Sequence, residues 1–451
     1  MIPIVTPAEM VAVDAAAPES LDVLIGRAAG AVARAAYGML GGAYGRVVNV
    51  IAGPGNNGND GRVAAELLRR RGIRVREFAA SDCPHELPPA DLVIDAAFGT
   101  GFHGTWTAPE IGDAAVLAVD IPTGVDALTG CADTGVLPAD RTVTFQALKP
   151  GLLFGAGARL AGDVDVVDIG LDVSAADQHL VEASDVAGWW PARAVDAHKW
   201  RAAVRIVAGS PGMTGAAALC AAAAARAGAG LVKLSVPGTE AAVREEVVQQ
   251  LVGETGWADD VLADISRFGA LVVGPGIGRA EGTVADVRTV IADATVPVVV
   301  DGDALFATAW DADGAAPLFE NRGVGTVLTP HDGEYSLLTG ALPDADRIAA
   351  TRTLARDLGC TVLLKGPATV VADADGSVLV VAHGDQRLAT AGTGDVLAGM
   401  IGAALAAGAP AVRAAAAAAW LHADTARSGP AEGILAGDLI EALPMALAGI
   451  R

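Results

Sequence analysis

At 451 residues the chain is too long for one ordinary hydrophobic core, so two large domains are expected. A formal charge of −22, from 53 acidic and 31 basic side chains, repels phosphate backbones and argues against nucleic acid as a partner, while small anions can still bind at backbone N–H groups. Hydrophobic residues make up 52% but aromatics only 4%, with 56 glycines, which fits Ala-rich helices packed closely on Val-rich strands in an α/β protein.

The first residues carry acids early and no basic segment ahead of a long apolar one, so a signal peptide is not expected. Cys83, Cys131, Cys220 and Cys360 lie far apart without a CxxC pair; neither zinc nor disulfides are expected, and a reducing cytoplasm is. From Pro7 to about Leu40 the apolar spacing is helical, interrupted at Pro18. Short β-branched runs then alternate with helical stretches: "RVVNVIAG", "IRVREFA", "DLVIDAAF", "AVLAVDIP", "RTVTFQA" and "DVDVVDIG". Apolar strands separated by helices predict a mostly parallel sheet covered on both faces, here over residues 1–171. The pattern lapses over 172–197, which reads as a linker. It resumes over 198–451 with "AVRIVAGS", "GLVKLSVPG", "GALVVGPGIG", "VPVVVDGDAL", "VGTVLTPHDGE", "TVLLKGPATVVAD" and "GSVLVVAHG", a second α/β layer domain. The apolar run from Val396 to Val412 is Ala/Gly-rich and contains Pro410, so a buried helix is expected there rather than a membrane span.

Two stretches carry chemistry. In "IAGPGNNGNDGRV" a strand ending at Ala52 leads through a glycine turn to a helix expected to start near Asp60 or Gly61, an anion site in outline without the lysine of a Walker loop or the spacing of a dinucleotide fingerprint. Asp95 and Asp120 end the next strands, so Asn57, Asp95, Asp120 and Thr123 share one carboxyl edge, where they could form a pocket and hold a hard cation. The plainer reading is turn residues and caps, with Asp120 capping the turn at Pro122. If partial burial raised its pKa, Asp120 would suit proton transfer.

In "ATAGTGDVLAGMIGAALAAG" Gly392, Thr393 and Gly394 put N–H donors at the positive end of a long helix, with Asp395 in its first turn. Donors beside a carboxylate are what phosphoryl transfer to a hydroxyl needs, Asp395 taking the acceptor's proton. Lys365 and Thr369 flank a Gly-Pro turn suited to nucleotide phosphates, although Lys365 alone could be a surface charge. His331 lies between a strand and a helix that Asp332 could cap.

The segments "GNNGNDG", "DAAFGTGFHG", "VDIPTGVD" and "TFQALKPGLL" resemble the NAD(P)H-hydrate epimerases. The later segments "GPGIG", "DGDAL", "LTPHDGE", "KGPAT" and "AGTGD" resemble the ADP-dependent NAD(P)H-hydrate dehydratase branch of the ribokinase-like superfamily. The resemblance implies an N-terminal Rossmann-like three-layer αβα domain and a C-terminal ribokinase-like αβα domain. In the first it implies binding of the hydrated dinucleotides NADHX and NADPHX by Asn56, Asn57, Gly58, Asn59, Asp60, Gly99, Thr100, Gly101, Phe102, His103, Gly104, Thr105 and Asp120. It also implies a potassium ion on Asn57, Asp95 and Thr123. In the second, Ala217, Gly276, Gly278, His331 and Asp395 would face the hydrate, and Lys365, Gly366, Pro367, Ala368, Thr369 and Gly394 the nucleotide, ADP or ATP with Mg2+. Asp120 and Asp395 are the catalytic candidates. Asn59 and Trp200 stand where the family usually has glycine; an asparagine tolerates the positive φ such a turn would ask for. The implied activities are R/S exchange at C6 of the hydrated ring, then nucleotide-dependent dehydration of the S form, in a homo-oligomer without membrane partners. Two alternatives stay open: a small-molecule kinase with a regulatory front half, and a protein that binds a dinucleotide without catalysis.

Overall fold

Capping chemistry starts the fold. Thr6 and Glu9 close a reciprocal cap on helix α1 (Pro7–Ala15), with Thr6 Oγ1 accepting from the Glu9 N–H and Glu9 Oε2 accepting from the Thr6 N–H. Helix α2 (Leu21–Leu40) ends on Gly41 in the left-handed region, which a residue without Cβ adopts freely. It buries Leu24, Ala28, Ala29, Val32, Ala36 and Leu40 against the first sheet and against helix α3 (Asn56–Arg70). A computed structural model describes residues 1–102, 104–132, 134–309, 315–319 and 322–451, and divides the chain into two compact units, Ile2–Gln178 and His179–Arg451.

In the first unit the strands are β1 (Val47–Ala52), β2 (Arg74–Ala79), β3 (Leu92–Ala96), β4 (Ala115–Val119), β5 (Arg141–Phe145) and β6 (Asp163–Val167), ordered β2-β1-β3-β4-β5-β6 and parallel throughout. Strands β3 and β4 are buried almost end to end, as a sheet covered on both faces requires.

The segment 172–197, expected as a linker, is structured. It holds a short strand, Gln178–Leu180, and helix α4 (Ala183–Trp189); Val186 and Trp190 lie in the core of the second unit, and the division between units falls after Gln178. Val181 joins them, and few periodic apolar positions mark the segment because so short a strand and helix bury only a few side chains.

The second unit carries β7 (Ala203–Val207), β8 (Leu231–Ser235), β9 (Val247–Gln249), β10 (Ala270–Val273), β11 (Val298–Val300), β12 (Thr326–Leu328), β13 (Thr361–Leu364), β14 (Thr369–Ala372) and β15 (Val378–Val381), in the order β15-β14-β13-β12-β11-β10-β7-β8-β9. Pairing is parallel except at β13/β14 and β14/β15, the arms of a hairpin meander. Its main helices are α5 (Thr214–Arg226), α6 (Asp332–Thr339), α7 (Arg347–Leu358), α8 (Thr393–Ala406) and α9 (Ala411–Arg427). Helix α8 ends at Ala406, so the apolar run to Val412 is a buried helix, a turn and the first two residues of α9. Small residues let α5 and α8 meet closely: a Cβ on Gly399 would lie 2.2 Å from the Cys220 carbonyl oxygen.

Candidate active sites

In the first sheet the chain leaves β1 toward β2 on one side and returns to β3 on the other. The carboxyl ends of β1 and β3 therefore flank a switch point, where open α/β sheets bind ligands. A cleft of about 630 Å³ opens there, lined by Asn56, Asn57 and Asp60 of α3, Gly99 to Phe102 after β3, and Asp120 after β4, with Met10, Asp14 and Leu24 forming an opposite wall. Asp120 thus faces a pocket beside Asn57, not the sheet core.

Helix α3 begins at Asn56, one turn earlier than its glycines and asparagines suggest, because those glycines make room for the helix. A Cβ on Gly53 would sit 1.7 Å from the Ala97 carbonyl oxygen, on Gly58 1.9 Å from the Gly53 carbonyl oxygen, and on Gly61 2.5 Å from Ala96 Cβ. Gly58 packs against the backbone instead of facing the cleft. Asn59 turns away too, its Oδ1 accepting from Arg62 at 3.2 Å. Its backbone is helical, so the turn with positive φ does not occur; among the described residues the non-glycine positive φ values belong to Asp120 (+68°) and Gln146 (+65°). Gly104 and Thr105 are exposed beyond the cleft lining, Phe102 stacks on Phe98 at 4.2 Å, and His103 lies outside the described residues.

Asp120 does not cap the turn at Pro122. Its Oδ1 accepts from Lys149 Nζ at 2.6 Å and from Thr144 Oγ1 at 3.0 Å, and the almost fully buried Lys149 also donates to Thr144 Oγ1 and the Phe145 carbonyl. Burial pushes up two other carboxyls of this cleft, Asp14 and Asp60, the latter to about 8 with the charge of Asp120 as second cause.

Beneath the cleft, Thr123 donates to Asp95, Oγ1 to Oδ1 at 2.7 Å and N to Oδ2 at 2.9 Å, and accepts from the Phe98 N–H at 3.1 Å. Burial raises the Asp95 pKa against these hydrogen bonds. The Asn57 side chain has both polar atoms buried without a partner, and Gly99 packs against it. An orphaned amide beside a buried carboxylate and a hydroxyl, all hard donors, suits a monovalent cation.

In the second unit, successive parallel strands present their carboxyl ends side by side. Lys365 follows β13, Thr329 and His331 follow β12, Asp301 follows β11, and the Gly274–Gly278 loop follows β10. Lys365 Nζ is bound to Asp301 Oδ1 at 2.6 Å, lies 3.9 Å from Glu334 Oε2, and is 3.4 Å from where a Cβ on Gly394 would be. An acidic pair thus holds the lysine beside the start of α8. Burial lowers and Asp301 and Glu334 raise the Lys365 pKa, and the net change is upward.

Gly392 caps α8 at φ +92°, and Asp395 follows in the first turn. Burial pushes Asp395 up to about 7, Asp301 and Glu334 adding to the rise and Lys365 opposing it. His331, rather than Asp332, caps α6: its Nδ1 accepts from the Glu334 N–H at 3.1 Å while Glu334 Oε2 accepts from the His331 N–H at 2.9 Å. Asp332 instead pairs with Arg347, which also donates to the Lys365 carbonyl and lies against Gly366 of the Gly-Pro turn.

Gly276 and Gly278 both have positive φ, and Ser210 and Asp303 hold their loop. Ala217 is fully buried in the core; its half-exposed neighbour Ala216 is the one that meets Gly276. Ala368 is buried, while Gly366 and Pro367 are exposed and Thr369 half-buried. Trp200 precedes β7, at the amino edge opposite these loops, and packs edge-on against Phe268 with Arg267 over its ring, so it touches no part of the cleft. Among the described residues no three His, Cys, Asp or Glu side chains are arranged to hold a metal.

Lys149, Asp301, Glu334 and Arg347 were not singled out from the sequence, although each stands in or beside a segment that was: "QALKPG", "DGDAL", "PHDGE" and the Gly-Pro turn.

These features define a class: a Rossmann-like binding unit joined to a ribokinase-like unit that positions a carboxyl at a helix N-terminus. Residues 204–445 match the family model described as NAD(P)H-hydrate dehydratase, and residues 21–86 and 76–151 match that described as YjeF-related protein N-terminus. The bifunctional NAD(P)H-hydrate repair enzyme of Mycobacterium leprae is 37% identical over 87% of this chain and 88% of its own, and that of Moorella thermoacetica 34% identical over 90% and 88%. The crystal structure of the ADP/ATP-dependent NAD(P)H-hydrate dehydratase from Bacillus subtilis, co-crystallised with ATP and Mg2+, is 27% identical with a TM-score of 0.51, covering 60% of this chain and 98% of that one. The chain belongs to the family of bifunctional NAD(P)H-hydrate repair enzymes.

Proposed function

We propose that the first unit exchanges the R and S forms of NADHX and NADPHX, and that the second dehydrates the S form to NADH or NADPH with ADP or ATP. The observation that carries this reading is the pair of carboxyls, Asp120 and Asp395, each at the carboxyl edge of its own sheet, Asp120 bound to Lys149 in a cleft and Asp395 in the first turn of a helix behind a glycine cap. Asn56, Asn57, Asp60 and the Gly99–Phe102 loop would receive the dinucleotide, with α3 offering its N-terminal N–H groups to phosphate or ribose oxygens. Potassium on Asn57, Asp95 and Thr123 would offset the buried carboxylate and tie the loops after β3 and β4 together.

In the second unit Asp395 takes the proton of the C6 hydroxyl as that oxygen attacks the terminal phosphoryl group. The N–H groups of Gly392 to Gly394 receive the developing charge. With ADP the products are AMP and a C6 phosphate ester; the lone pair of the ring nitrogen then expels phosphate, and the iminium so formed loses a C5 proton to the departing phosphate, giving NADH or NADPH. Mg2+ bound with the nucleotide would draw off phosphate charge. Lys365, held by Asp301, lies beside Gly394 and sets the field at Asp395; Gly366 to Thr369 form the turn a nucleotide would lie against.

A cytoplasmic site accords with four free cysteines. Leu21–Leu40 is the one described helix long and apolar enough to cross a membrane, and half of its most apolar window is buried inside the protein. Self-association is part of the reading and rests on exposed apolar side chains such as Met445 and Leu435.

The test is to incubate a mixture of R and S NADH hydrate with the protein, ADP and Mg2+. Nearly all of it returns as NADH. Recovery of the S half alone would remove the epimerase, and no recovery would remove both activities.

A further inference from the structure

Four carboxyls line the first cleft, those of Asp14, Glu19, Asp60 and Asp120, and the surroundings of Asp60 and Asp120 differ. Asp120 is met by the Lys149 ammonium at 2.6 Å and the Thr144 hydroxyl at 3.0 Å, an arrangement that serves a carboxylate. Asp60 is 7% exposed, and among the described residues no donor reaches its carboxyl. Helix geometry fixes where it points. Asp60 follows Asn57 by three residues and Asn56 by four, so these three share the face of α3 that lines the cleft, while Gly58 and Gly61 face the sheet. The charged or titratable side chains around the cleft are Asp14 of α1, Glu19 before α2, Asp120 and Lys149; the guanidinium of Arg62, next on α3, is engaged with Asn59 and the Gly53 carbonyl. A buried carboxyl without a donor keeps its proton, and a second one met by an ammonium and a hydroxyl is placed to take a proton from substrate; such a pair is an acid and a base in one pocket.

We infer that Asp60 is the proton donor of the epimerisation, acting with Asp120 as the base, an assignment that rests on the epimerase reading of this site. Asp120 takes the proton of the C6 hydroxyl, and the O–H electron pair becomes the second C–O bond. The C6–N1 bond breaks, its pair passes to N1, and N1 takes the proton of Asp60. The product is an open-chain aldehyde with an N1–H. Rotation about C5–C6 turns the other face of the aldehyde toward N1. Closure reverses each transfer: N1 attacks C6, its proton returns to Asp60, and the carbonyl oxygen recovers the proton held by Asp120. Nothing is consumed, and the carbon closes in either configuration. Loss of the hydroxyl as water would instead leave an iminium one deprotonation away from NADH, bypassing the nucleotide.

The experiment follows R/S exchange from each pure NADH hydrate on the full chain without nucleotide, across pH, for the wild type, Asp60→Asn and Asp60→Glu. The expected wild-type profile is level below and falls above about pH 8, where Asp60 loses its proton. Asp60→Asn slows exchange by about 100-fold or more, binds the S hydrate within about threefold of the wild type, and loses the alkaline limb, while Asp60→Glu recovers part of the rate with a limb of its own. Exchange by Asp60→Asn within about threefold of the wild type, or an alkaline limb that persists in it, overturns the assignment. Should that variant not fold, a wild-type rate still level well above pH 8, or a Glu variant with an unmoved limb, overturns it equally. A wild-type chain that exchanges nothing beyond the spontaneous rate defeats the epimerase reading itself, which is a different outcome.

Discussion

Asp395 has to be ionised to accept a proton, and burial with two acidic neighbours raises its pKa to about 7. The sign follows directly: below that value the carboxyl is occupied and dehydration slows by about tenfold per pH unit; above it the rate levels. Measured kcat/KM for NADH hydrate at saturating ADP should show this acid limb, and a profile flat from about pH 5 to about pH 8 would count against the role. Asp395→Asn should remove nucleotide-dependent recovery by about 10²–10⁴-fold and leave R/S exchange unchanged; loss of both would speak against independent sites. Asp95, Asp120, Lys365 and Asp395 could be read from the sequence because each closes a strand or opens a helix, where local pattern marks the position. Lys149, Asp301 and Glu334 could not, because what gives them meaning is a charge brought from far along the chain: Lys149 lies 29 residues from Asp120 and Asp301 lies 64 from Lys365. Asp60 could be read as a binding residue, but not its place beside Asp120, which comes from helices α1 and α3 and the loop after β4.

Strands were legible because parallel sheets covered on both faces ask for short continuous β-branched runs, and the chain supplies them between glycines. The start of α3 was not. Asparagine and glycine are poor helix formers, so "NNGNDG" reads as loop, yet the close approach of α3 to β1 and β3 holds it in helix from Asn56. The helix cap at His331 was hidden in a similar way, since an aspartate follows at once and looks like the better cap. Packing at Gly61 yields a prediction for the element as a whole. Gly61→Ala brings a methyl to 2.5 Å from Ala96 Cβ, displacing the helix that carries Asn56, Asn57 and Asp60. Overpacking of that kind costs about 1–3 kcal/mol, so the first unit should melt earlier and exchange should slow, with dehydration of the S hydrate unaffected. Equal losses in both activities would show that the helix supports more than its own cleft.

Each unit has its own sheet and its own buried core, so a single unfolding free energy is not expected to describe the molecule. Calorimetry should resolve two steps. Exchanging sodium for potassium should raise one, and ADP or ATP with Mg2+ the other; a ligand at about 100 times its Kd adds about 2.7 kcal/mol to the unit that binds it. One step moved by both ligands would mean that the units unfold together. The net charge of −22 also bears on turnover, because substrate and nucleotide are both anions. Added salt should therefore speed their capture at low ionic strength, the reverse of a protein that steers anions inward.

Gly53, Gly58 and Gly61 have a consequence for how genetic data on this chain would look. None of the three donates a side chain, yet none admits one, because backbone or a neighbouring methyl already occupies the space within 2.5 Å. A saturation scan scored on growth under hydrate stress would rank all three beside Asp120, and a reader of that scan would place them in the chemistry. Scored on protein abundance they would separate: the isosteric Asp120→Asn chain accumulates, whereas the glycine variants are depleted.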